Sequence, residues 1–247
     1  MSDFDRNASL PWGTGVARAG AAEYDMGLRS YMLGIYNLMT LALGVTALVA
    51  MGIFMMGKTS PVVQALYMSP LKWVIMLAPL GFVFFMSFRF ERMSHSALLG
   101  TFLAFAATMG LSMGSIGFVF KVGSIVQALF ATTAAFGALS LYGYTTKRSL
   151  SGMGSFLMMG LVGLVIASLI NIFVGSSILG FAISMIGVLI FAGLTAWDTQ
   201  RLKEEYDVVA GSGEMASKAS VMGALTLYLN FINMFQLLLS LIGQRDD

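Results

Sequence analysis

Seven apolar blocks dominate this chain, near residues 31–57, 71–88, 97–120, 124–144, 153–173, 178–197 and 220–242. A helix needs about 20 mostly apolar residues to cross the hydrocarbon of a bilayer, and each block is close to that length. Buried core helices of a large soluble protein are the competing explanation. Composition speaks against them: apolar residues make up 57% of the chain and charged residues only 11%. A soluble domain carries roughly 25% charged residues and needs them to cover its surface. The sequence therefore predicts an all-α membrane protein of seven transmembrane helices, with the lipid bilayer as its first partner.

The blocks divide the chain into a polar, partly disordered tail over 1–30 and a transmembrane domain over 31–243. The tail begins Met1-Ser2-Asp3-Phe4-Asp5-Arg6, with neither the basic start nor the short apolar core of a signal peptide. The first block then serves as an uncleaved insertion signal. Pro79 falls inside the second block, which a membrane helix tolerates where a neighbour satisfies the freed backbone group. Only Lys121 and Gly123 mark the break between the third and fourth blocks.

Lysine and arginine set the orientation. With the amino terminus inside, the inner segments carry Arg6, Arg18, Arg29, Arg89, Arg92, Lys147, Arg148, Arg201, Lys203 and Lys218. The outer segments carry Lys58, Lys72, Lys121 and Arg245. The imbalance predicts a cytoplasmic amino terminus and, after seven crossings, an outer carboxyl terminus. Six crossings with one re-entrant block would instead return the carboxyl terminus inside.

Several chemistries are poorly served. There are no cysteines, so disulfides, thiolate metal sites and cysteine nucleophiles are excluded. His95 is the one histidine and lies between Ser94 and Ser96 in a polar turn. No HExxH and no GxSxG is present. Residues 220–242 contain no lysine for a Schiff base. The net charge of +2 says nothing of nucleic acid, and no nucleic-acid partner or cofactor is expected. The chain reads as a non-enzyme. Gly110, Gly114 and Gly117, like Gly180, Ser184 and Gly187, recur at helical spacing and read as packing stripes. The 20 methionines read as apolar filler.

Charge inside or beside a membrane helix is the sharpest functional pointer. Asp198 follows the sixth block with no spacer, and Glu91 sits between Arg89 and Arg92 at the end of the second. Gly180, Ser184, Gly187, Phe191, Thr195 and Asp198 follow at steps of three or four and share a helix face. On the last block Gly223, Thr226, Asn230 and Asn233 do the same. Two amides inside a membrane helix need partners. The two stripes predict that Asp198 and Asn230 face each other, with Arg89 as the partner of Asp198 and Thr195, Thr226 and Asn233 as supporting polar groups. An Arg–Asp latch broken by protonation would act as a gate. The plainer alternative is that Asp198 is solvated at the helix end beside Thr199, Gln200 and Arg201.

The stretch Phe191-Ala-Gly-Leu-Thr-Ala-Trp-Asp198-Thr-Gln-Arg201 resembles the sixth-helix signature of the Bax inhibitor-1 family. Ala224-Leu-Thr-Leu-Tyr-Leu-Asn230-Phe-Ile-Asn-Met-Phe235 resembles its seventh, normally Leu-Tyr-Leu-Asp-Phe-Ile-Asn-Leu-Phe. Gly143-Tyr-Thr-Thr-Lys-Arg148 and Asn171-Ile-Phe173 fit as well, and the likeness spans roughly residues 28 to 243. The resemblance implies six helices wrapped around the last. For bacterial members it implies an inner-membrane protein with a proton-sensitive calcium leak. It also implies two aspartates sharing a proton, one latched by an arginine at the end of the second helix. Asp198 matches the first aspartate and is the candidate calcium ligand. Arg89 matches the latch, with Arg92 as the fallback.

The second aspartate position holds Asn230. Two touching carboxylates cannot both ionise easily, whereas an Asp–Asn pair has no such repulsion and one titrating group fewer. The expectation is either a calcium leak with weak or shifted pH dependence and lower calcium affinity, or a protein that is not a calcium channel at all. The other functional class is a regulator of a membrane protease or stress response. Its partners would read the tail and the 199–219 loop, and the tail is weakly charged with no sharp motif.

Overall fold

The computed structural model describes residues 12–246, with side chains from Tyr24 onward. Among the described residues eight α-helices follow one another: α1 (Trp12–Met56), α2 (Pro61–Met68), α3 (Leu71–Arg89), α4 (His95–Met113), α5 (Val122–Thr145), α6 (Ser151–Val174), α7 (Ser177–Val209) and α8 (Gly213–Ile242). Short 3-10 turns extend α3 over Phe90–Arg92 and α4 over Gly114–Phe118. All except α2 are long and apolar enough to cross a bilayer. The protein is an all-α membrane protein.

The helix ends follow local chemistry. Ser94, Ser176 and Ser212 each accept a backbone N–H three residues on, at the starts of α4, α7 and α8. Pro61 opens α2, where its missing N–H costs nothing. Gly175 ends α6 at φ 65°, a conformation other residues rarely adopt. Inside α3, Pro79 leaves the carbonyl of Ile75 without its helical donor. The Ser112 hydroxyl of α4 donates to that carbonyl at 2.6 Å.

Two boundaries differ from the sequence reading. The limit drawn at residue 30 falls inside α1, which continues without a break from before that residue to Met56. Residues 1–11 of the expected tail, Arg6 among them, lie outside the described residues. The sixth block ends at Trp197, but α7 continues to Val209 through a polar stretch, because a helix need not stop where hydrocarbon does. At 33 residues α7 is roughly 50 Å long, well beyond a hydrocarbon layer of about 30 Å.

The α8 helix is the most enclosed of the seven spans. Helices α1, α4, α5 and α7 pack against it, while α3 leans on α4 and α6 on α7. Tyr228 of α8 is fully buried, edge-on to Phe102 and Phe105. Its hydroxyl meets Thr46 of α1 at 2.6 Å, and Thr46 also bonds the Ala106 carbonyl of α4 at 2.8 Å. The glycine stripe on α4 packs here: a Cβ on Gly110 would stand 2.7 Å from the Thr46 carbonyl oxygen, and Gly114 and Gly117 face Ile53 and Phe54.

The helices alternate between two ends of the bundle. One end is closed by Phe120 paired with Arg245, and by backbone bonds of Lys121 to Gln244 and of Asp246 to Val119. The opposite end is held by two lysines at helix carboxyl ends, where partial negative charge collects. Lys203 donates to the Tyr144 carbonyl at 3.1 Å, and buried Lys218 to the Glu91 carbonyl at 3.3 Å.

Candidate functional site

Asp198 lies on the part of α7 where the apolar run gives way to polar residues. The α7 stripe faces α8 as expected. Ser184 reaches Ser240 at 3.3 Å, and Gly187 lies against Leu237. Asp198 is 4% exposed and Asn230 5%. The Asn230 amide donates to Asp198 Oδ2 at 2.8 Å, joining the two inner helices. Asp198 is therefore enclosed, and the alternative of a carboxylate solvated at a helix end does not hold.

Its ionic partner is not Arg89. Arg201, three residues on along α7, places Nη2 2.8 Å from Asp198 Oδ1. Arg89 is exposed, with its guanidinium over the ring of Phe85 at 5.9 Å, and Arg92 is exposed too. The reason is the packing: α3 sits on α4 and α2, away from the α7–α8 seam. The expected supporting groups do not reach the carboxylate. Thr195, Thr226 and Asn233 each bond a carbonyl four residues back on their own helix, at 2.8, 3.1 and 2.8 Å.

Other side chains hold the segment in place. Gln200 clasps the turn between α5 and α6, donating to the Arg148 carbonyl at 2.9 Å and accepting from the Leu150 N–H at 2.7 Å. Thr199 meets Ser140 of α5 at 3.0 Å, and Ser140 meets Tyr36 of α1 at 2.5 Å. Gly143 admits the Ala196 backbone and Gly154 the Trp197 ring. Residues 196–200 thus touch α5, α6 and α8 directly, and reach α1 through Ser140. The sequence signal for these contacts was thin: polar residues directly after an apolar run, with partners distant in the chain.

Arg201 stacks on Trp197 at 5.1 Å and has a 48% exposed side chain, so the enclosed carboxylate meets the outside through its arginine. Among the described residues no three His, Cys, Asp or Glu side chains gather into a metal site. Asp198 is a single carboxylate flanked by a donor amide and a cation.

Comparison with known proteins agrees with the fold and the helix signatures. A family model described as "Inhibitor of apoptosis-promoting Bax1" matches residues 28–247. The chain is 40% identical to the inner membrane protein YbhL of Escherichia coli strain K12, over 89% of this chain and 93% of that protein. It is 42% identical to the uncharacterized protein RP147 of Rickettsia prowazekii, over 91% and 93% of the two chains. An uncharacterized protein of Caulobacter vibrioides is 39% identical over the full length of both. The seven spans, the two signatures meeting at Asp198 and Asn230, and these matches place the chain in the Bax inhibitor-1 family of membrane proteins.

Proposed function

We propose that this protein is a passive cation leak, chiefly for calcium, in a bacterial inner membrane, with its amino terminus cytoplasmic and its carboxyl terminus outside. The observation that carries the reading is the enclosed Asp198, held between Asn230 and Arg201 on the two inner helices. An ionisable group buried in a membrane bundle is costly and marks ion and proton paths. Asp198 can attract a cation, and Arg201 can compete with that cation for the same oxygen. The leak opens when the pair separates. With Asn230 in place of a second carboxylate, protonation of the site is a single event, and the dependence of the leak on pH is shallow.

The positive end of the bundle supports the orientation. Lys203, Lys218, Arg89, Arg92, Lys147 and Arg148 gather at the end where α3, α5 and α7 finish. Calcium entry into sealed proteoliposomes of the purified chain tests the reading. Entry above that of empty vesicles supports it, and tight vesicles containing folded protein contradict it.

A further inference from the structure

Arg201 stands between two carboxylates of its own helix. Asp198 is three residues before it and Glu205 four after, so all three lie along one face of α7. The guanidinium is on Asp198, whose side chain is 6% exposed against 48% for the arginine. An enclosed anion is thus covered by a cation that reaches it from the open side. Glu205 is exposed and, among the described residues, makes no ion pair, and its four-residue spacing from Arg201 puts the two side chains within reach of each other. Oppositely charged side chains at this spacing can meet through rotamer changes alone, with the backbone fixed.

A second observation points to the same movement. Tyr31 of α1 is 7% exposed and packs on Tyr206, with ring centres 5.4 Å apart. Its hydroxyl is buried and has no hydrogen-bond partner among the described residues. Such groups are rare in folded proteins and call for a reason. Tyr206 follows Glu205 directly on α7, so this packing brings Tyr31 to the stretch that carries Arg201 and Glu205. A guanidinium carries five N–H donors, enough to hold a carboxylate and a phenol oxygen together.

We infer that Arg201 is a tethered cation with two seats, one on Asp198 and one on Glu205 with the Tyr31 hydroxyl, and that a permeating cation takes the first seat when the arginine moves to the second. The inference rests on the leak reading and adds Arg201, Glu205 and Tyr31 to it as positioning residues. While Arg201 sits on Asp198, the two charges cancel and an arriving ion meets little attraction. Once the arginine is on Glu205, Oδ1 of Asp198 is bare while Oδ2 stays tied to Asn230.

Two measurements test this. The first is a structure of the Asp198→Asn variant in lipid, which removes the charge at the first seat. The guanidinium is expected against Glu205 and hydrogen-bonded to Tyr31; a guanidinium still beside residue 198, or free in solvent, overturns the inference. The second is calcium flux through Arg201→Gln, Glu205→Gln and the double variant. Arg201→Gln should raise flux several-fold. Glu205→Gln should lower it several-fold on its own and have no effect once Arg201 is gone. An equal loss in both backgrounds would make Glu205 an independent attractor of cations and overturn the two-seat inference. A wild-type chain that passes no calcium would refute the leak reading, and the variant structure would still decide the arginine's position.

Discussion

The Asn230 amide donates to Oδ2 of Asp198 at 2.8 Å, from one inner helix to the other, with both side chains almost wholly enclosed. With the contact of Ser184 to Ser240, this bond ties α7 to α8 by polar groups. Removing its donor leaves a buried carboxylate short of a partner. Asn230→Leu should cost about 1–3 kcal/mol, read from unfolding in detergent micelles. Asn233 bonds only its own helix, and Asn233→Leu should cost under about 1 kcal/mol. Equal losses for the two would contradict a special role for Asn230.

Asn230→Asp would set a second carboxylate at hydrogen-bond distance from the first. Titrations of touching carboxylates are coupled. The leak of this variant, followed from about pH 5 to pH 8, should vary more steeply with pH than that of the wild type. An unchanged profile would show that the pair does not govern the pH response.

Close helix approach behind the site depends on Gly143. Any side chain there meets the carbonyl of Ala196, two residues before Asp198. Gly143→Ala should cost about 1–3 kcal/mol as α5 and α7 are forced apart. Gly34, which faces open space, should accept alanine with a change within about 0.5 kcal/mol. Thermal unfolding of the two variants makes the comparison.

Much of this arrangement could be read from the residues. Seven apolar blocks gave seven spans, because the length needed to cross hydrocarbon leaves little freedom. Steps of three and four were enough to turn Asp198 toward Asn230, since both stripes had to face the bundle. The arginine was misassigned for a physical reason. Arg89 lies at the correct end of its helix, but periodicity fixes a face and a height, not which helices are neighbours, and α3 packs away from the seam. Arg201 carried a usable signal, the three-residue spacing from Asp198 that brings side chains together on a helix. The short α2 escaped notice because eight residues make no apolar block. The clasp of Gln200 on the α5–α6 turn spans 50 residues of sequence, which no local pattern reveals.

Outside the spans, Tyr67 of α2 donates to the Leu111 carbonyl at 2.5 Å, and burial pushes its phenol above the ordinary value. An unfolded tyrosine ionises near pH 10. A raised value in the folded state means that its contribution is complete below that pH and is lost as pH rises further. The wild type should therefore lose stability above about pH 10 more steeply than Tyr67→Phe. Identical alkaline profiles in a thermal unfolding series would contradict this.

The central claim is that Asp198 lies on the path of the ion or at its gate. The direct measurement is calcium flux in proteoliposomes from about pH 5 to pH 8, with the wild type beside Asp198→Ala at matched amounts of folded protein. The account predicts a leak in the wild type, and a change in its size or pH profile in the variant. Wild-type vesicles that stay tight, or a variant leak indistinguishable from the wild type at every pH, would contradict it.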